Sequence, residues 1–178
     1  MTDQMSLLDA GAPFCIKPPP KLWGADGESL LPDRILCIAL DQPYAGLVVE
    51  VEEAGDEPTK AFETRLWEWP RIYGPAWLLI YATRAPDRAA YQRLGARAER
   101  HHEPLGAIIG LVWIGGCRRM QPGDDVRACY PYDPERFVWV IGAAYPFAVP
   151  NTKHLSRGPQ KFVYVPRDVV VAGLRGRA

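Results

Sequence analysis

Cysteine and histidine are scarce in this 178-residue chain: Cys15, Cys37, Cys117 and Cys129 contain no C-x-x-C pair, and the 3 histidines sit in no ligand-like arrangement with them. That spacing predicts no metal site. Cys37 lies in an apolar run and reads as a small buried hydrophobe, so the thiols are expected to be reduced and the compartment cytoplasmic. An excess of either charge is lacking too: 21 basic residues face 21 acidic ones. No global positive field draws the chain to long nucleic acid, and any such contact must come from a local patch. No apolar run approaches the ~20 residues of a membrane span, and Met1-Thr2-Asp3-Gln4 opens the chain without a basic flank or an apolar stretch, so neither a membrane nor a secretory signal is expected. Walker loop, G-x-G-x-x-G, H-E-x-x-H and Ser-His-Asp order are all missing, and no cofactor is expected.

What is present is a hydrophobic fraction of 48%, enough to bury a full core in one domain with an appendage. Residues 1–33 are rich in breakers, including Pro18-Pro19-Pro20, Gly24 and Gly27, and read as an arm. Its Phe14, Ile16, Leu22 and Trp23 suit it to lie across the domain surface or to meet a protein partner. The domain is expected over residues 34–168, with a tail over 169–178. Arg34 to Leu40 is a buried strand by pattern, and Tyr44 to Glu53 a short helix with Pro43 just inside its start. Ala76 to Thr83, Gly106 to Ile114, Phe137 to Ile141, Tyr145 to Val149 and Lys161 to Val165 read as further strands. A helix from Pro86 to about Arg100 carries Arg93, Arg97 and Arg100 on one stripe, a solvated face by default and a phosphate ridge by alternative. The sum is an α+β domain of five to seven short strands with two or three flanking helices, spaced as for a closed sheet.

Lys60-Ala61-Phe62-Glu63-Thr64-Arg65-Leu66-Trp67 mixes charge and aromatic rings in a segment with strand character. Period-two alternation puts Phe62, Thr64 and Leu66 on one face and Glu63, Arg65 and Trp67 on the other. Either Glu63 and Arg65 form an ion pair that orients the strand, with Lys60 a solvated turn residue, or the face serves a ligand. A helix start at Gln42-Pro43 favours an anion, Arg65 offers a planar fork, and Tyr44, Trp67 and Trp69 offer flat surfaces for a base. Gln42 is either a reader of paired donor and acceptor or a plain helix cap.

Taken in order, Cys37-Ile38-Ala39-Leu40, Gln42-Pro43-Tyr44-Ala45, Lys60-x-x-Glu63-x-Arg65-x-Trp67, Gly74, Ala82-Thr83 and Gly106-Ala107-Ile108-Ile109-Gly110 resemble the ASCH domain over roughly residues 34–166. The resemblance implies a PUA-like β-barrel with a cleft that takes RNA, other single-stranded nucleic acid or a nucleoside. It implies Gln42, Tyr44, Lys60, Glu63, Arg65, Trp67 and, in the final-strand region, Gln160 as cleft residues. Tyr44 stands where the family more often has tryptophan, and Tyr73-Gly74 where many members have Arg-Gly. Some members resemble this chain in outline yet hydrolyse acetylated cytidine nucleosides, and others have been described as ribonucleases. The amidohydrolases look to use a lysine, a threonine three positions later as nucleophile, and a glutamate. Lys60 matches, but the threonine's place holds Glu63, and Thr64 belongs to the opposite strand face. Lys60 and Glu63 therefore carry catalysis only by another route, with Glu63 as a base on water. Binding of nucleic acid or nucleotide is the first expectation, a hydrolase on a modified nucleoside or RNA the second, and a protein-interaction domain the third.

Overall fold

The computed structural model of the chain describes residues 16–155, 158–159 and 161–176. Gln160 and residues 1–15, Phe14 and Cys15 among them, lie outside these. Six strands form one mixed sheet: β1 (Arg34–Leu40), β2 (Phe62–Arg65), β3 (Ala76–Ala82), β4 (Ala107–Arg119), β5 (Phe137–Asn151) and β6 (Val163–Pro166), in the order β2-β5-β4-β3-β1-β6. Only β1 and β3 run parallel, and the crossover between them carries α1 (Tyr44–Leu47) and β2, the two elements that build the site.

The central strands read as continuous apolar runs because both of their faces are covered. Leu36, Ile38 and Leu40 of β1 join Leu78 and Ile80 of β3 and Trp139 and Ile141 of β5 in one core. Ile35 and Cys37 join Trp77, Leu79, Tyr81, Leu111 and Trp113 in a second core on the opposite face. β4 and β5 make a long antiparallel pair interrupted by register shifts near Gly110, Ile114 and Gly116, and such irregularities bend a hairpin. The segments read as separate strands at Phe137 and Tyr145 are thus one strand. Pairing does not close the sheet, since β2 and β6 are its edges. Even so the sheet curls, because an Arg65 Nη on β2 donates to the Ala39 carbonyl on β1 at 3.4 Å although β5, β4 and β3 stand between those strands in the order.

The helices are shorter than the sequence pattern predicts. α1 is a single turn instead of continuing to Glu53, because the returning chain takes the carbonyls a longer helix would use: Lys60 N–H donates to the Leu47 carbonyl at 3.0 Å and Thr59 N–H to that of Glu50 at 2.9 Å. The helix expected from Pro86 to Arg100 breaks at Gly95, whose φ of 55° suits glycine, into α2 (Arg88–Leu94) and α3 (Ala96–Glu99). The Asp87 side chain caps α2 by accepting from Ala90 N–H at 3.0 Å. α4 (Asp125–Ala128) lies in the loop between β4 and β5.

The segment assigned to a tail instead forms α5 (Arg167–Arg175), with Val170 and Gly173 buried, and the expected boundary at residue 168 falls inside it. Residues 16–33 are likewise bound into the domain: Leu22 and Leu31 sit in the second core, and the Trp113 indole N–H donates to the Lys17 carbonyl at 2.7 Å.

Candidate functional site

Strand β2 is held on its outer face by a third apolar cluster, in which Phe62 packs with Met120, Ala128, Val138 and Val140. That contact turns Glu63 toward the interior of the curl. Lys60, just before the strand, is 1% exposed, so it is no solvated turn residue. Its ammonium donates to the Phe62 carbonyl at 2.5 Å and to Glu63 Oε2 at 3.0 Å, and it lies 5.6 Å from the centre of the Tyr44 ring. Arg65 Nε stands 2.9 Å from Glu63 Oε1, an ion pair not aligned as a hydrogen bond. Burial pushes the Glu63 carboxyl up, but the charges of Lys60 and Arg65, with the Lys60 hydrogen bond and the field of Arg136, hold it below its ordinary range.

These groups border an open pocket of about 190 Å3, walled by Ala39, Asp41, Tyr44, Thr64, Asp87, Tyr130 and Arg136 among others. Tyr44 and Tyr130 make a tilted pair, ring centres 6.3 Å apart. The Tyr44 hydroxyl accepts from the Arg93 guanidinium, and burial pushes that hydroxyl up to about 12, so it keeps its proton. Arg136 lies over the Tyr130 ring at 4.4 Å and pairs with Asp133 at 3.3 Å. Asp41 Oδ1 accepts from the Thr83 hydroxyl at 2.5 Å.

No family model matches the chain, and no curated protein does. Two solved structures are similar in outline. One is ASCH from Zymomonas mobilis, at 14% identity and a TM-score of 0.48, with 75% of this chain and 88% of that one covered. The other is a serine-to-alanine mutant of the Zymomonas mobilis protein, at 16% identity and a TM-score of 0.46, with 78% and 93% covered. Both carry the name of the domain that the sequence motifs resemble; at these values the likeness reaches no residue's role.

Of the expected site residues, Tyr44, Lys60, Glu63 and Arg65 come together. Gln42 does not join them: it is fully buried, its Oε1 accepting from Gly46 N–H in α1 at 2.8 Å and its Nε2 donating to the Pro104 carbonyl at 3.3 Å, so its amide is spent on the fold. The anion site expected at that helix start fails for the same reason. Ala45 and Leu47 N–H donate to the Asp41 and Pro43 carbonyls, and one turn of helix adds little dipole. Trp67 lies outside the pocket, 39% exposed, with its ring edge-on to Trp139 at 4.7 Å and Phe162 at 5.5 Å. Leu66, expected on the core face, is 66% exposed because the strand ends at Arg65. Trp69 is buried, its indole donating to the Gly74 carbonyl at 2.7 Å, and presents no stacking face.

Sequence reasoning does not single out Tyr130 or Arg136. Tyr130 sits in a patternless loop, and Arg136 comes beside the site through the antiparallel pairing of Arg65 with Phe137, a register that the sequence pattern does not carry.

Proposed function

We propose that this protein binds single-stranded nucleic acid or its nucleoside unit, one base at a time, in the pocket between β2, α1 and Tyr130. The observation that carries this reading is that buried Lys60 and Glu63 with half-buried Arg65 line the wall of an open pocket instead of being sealed in a core. Structural ion pairs are ordinarily enclosed or solvated. This one meets a cavity that also offers the Tyr44 and Tyr130 rings.

The pocket's charges cancel, with Lys60, Arg65 and Arg136 against Asp41, Glu63 and Asp87. A balanced set of donors and acceptors beside aromatic faces suits a neutral base, which presents both kinds of group and a π-face. At about 190 Å3 the pocket is smaller than the ~300–1,000 Å3 that encloses a drug-sized molecule, which fits one ring system and not a folded nucleic acid.

Binding is favoured over hydrolysis by the state of Glu63. Its two oxygens face Lys60 and Arg65, and those charges lower its affinity for a proton, which makes it a weak base toward water.

Tryptophan fluorescence titrated with short single-stranded RNA, DNA and free nucleosides tests the reading. Tyr130→Ala should weaken binding by ~1–3 kcal/mol through the absence of stacking, and Arg65→Ala should weaken it as well. Equal weak binding by the unaltered chain and both variants rejects it. Turnover of acetylated cytidine abolished by Glu63→Gln would instead place Glu63 in a hydrolase.

A further inference from the structure

Among the described residues, two arginines beside this pocket form no ion pair. Arg65 and Arg136 border the pocket, and Arg93 and Arg97 border a larger cavity of about 380 Å3 next to it. Arg65 is paired with Glu63 and Arg136 with Asp133. Arg93 instead donates to the Tyr44 hydroxyl and Arg97 to the Thr59 carbonyl at 3.2 Å, and among the described residues neither forms an ion pair. Both are exposed. A guanidinium with only a neutral acceptor keeps full charge and spare donors for an anion.

The two cavities are continuous in their walls. Tyr130 borders both, and Arg93 of the second holds the Tyr44 hydroxyl of the first. Their chemistry differs. The first is charge-balanced, whereas the second sets Arg93 and Arg97 against Asp125 alone, over a floor that includes Leu94, Val126 and Pro131.

We propose that the second cavity is the subsite for the neighbouring nucleotide, with Arg93 and Arg97 holding the linking phosphate, so that the ligand is a single strand and not a free nucleoside. This rests on the base-binding reading above. A base over Lys60, Glu63 and Arg65 leaves its sugar–phosphate directed past Tyr130, and the apolar floor accepts the next sugar and base edge. Charge complementarity selects the occupant: a chain with a phosphate at each link meets unpaired guanidiniums one step from a neutral pocket.

The test uses the full chain with uridine, uridine monophosphates and an oligouridine strand about 8 nucleotides long, each titrated at low and moderate salt. The strand should bind roughly tenfold or more tighter than uridine, with the monophosphates between them and affinity falling as salt rises. In Arg93→Gln/Arg97→Gln the slope of log affinity against log salt should fall by roughly 0.7, the share of the one linking phosphate left without its arginines. Uridine binding as tightly as the strand, or a slope unchanged in the double variant, overturns the subsite and leaves the base-binding reading intact. Failure of all three ligands to bind overturns that reading and the subsite with it. The ligand comparison on the unaltered chain decides the matter independently of how well the double variant folds.

Discussion

Lys60 has exchanged water for the Phe62 carbonyl, the Glu63 carboxylate and the face of Tyr44, and Glu63 is 7% exposed between two cations. Removing one member of such a buried group strands the other, at a typical cost of ~3–5 kcal/mol, while removing both together costs far less. Lys60→Met should therefore destabilise the chain by about 3 kcal/mol, and Lys60→Met/Glu63→Gln should recover much of that loss. Urea unfolding checks it, and losses that simply add would show the pair to be uncoupled. Acid makes a second demand. Because the folded-state pKa of Glu63 lies below its ordinary 4.5, the unfolded chain takes up the proton first. Its contribution is complete above about pH 4.5 and drains away as the pH falls through the folded value. Unfolding midpoints followed from neutral pH to about pH 3 should fall more steeply for the unaltered chain than for Glu63→Gln.

At the scale of elements, strands were legible and helix ends were not. Runs such as Trp77 to Ala82 announce themselves because burial on both faces removes polar residues. The end of α1 is set by where Lys60 and Thr59 donate their amides, a contact made by a segment a dozen residues on and absent from any local pattern. The site followed the same division. Glu63 and Arg65 share a strand face and were readable from alternation, whereas Tyr130 and Arg136 arrive from the far end of a loop. α5 is the clearest omission, since its apolar stripe is short and gains meaning only against β5. Gly173 is what allows that docking, as a Cβ there would stand 2.2 Å from a Phe147 ring carbon. Gly173→Ala should destabilise the protein by ~1–3 kcal/mol through overpacking, despite the better helix propensity of alanine. An unchanged denaturation midpoint would show that α5 is dispensable to the fold.

For the whole molecule, the run of strand and helix patterns gave the class, α+β, but not the way in which the sheet completes itself. The segment before β1 illustrates the limit. Its prolines and glycines mark it as an arm, yet Leu22, at 4% exposure, and Leu31, at 2%, finish the second core. A chain beginning at Arg34 should lose about 3–6 kcal/mol, the burial of two leucine side chains, and show a matching drop in chemical stability. An undiminished midpoint would return the segment to the status of an appendage. The reach of Arg65 to the Ala39 carbonyl has a consequence for motion as well. Across the seam between β2 and β1 a long side chain stands in for a ladder of backbone bonds, so the strand that carries the binding group is an edge strand, laddered on one side alone. Its amide protons should exchange with solvent ahead of those of β4, and a ligand that spans the seam should slow them, which makes deuterium uptake at Phe62–Arg65 a direct gauge of occupancy.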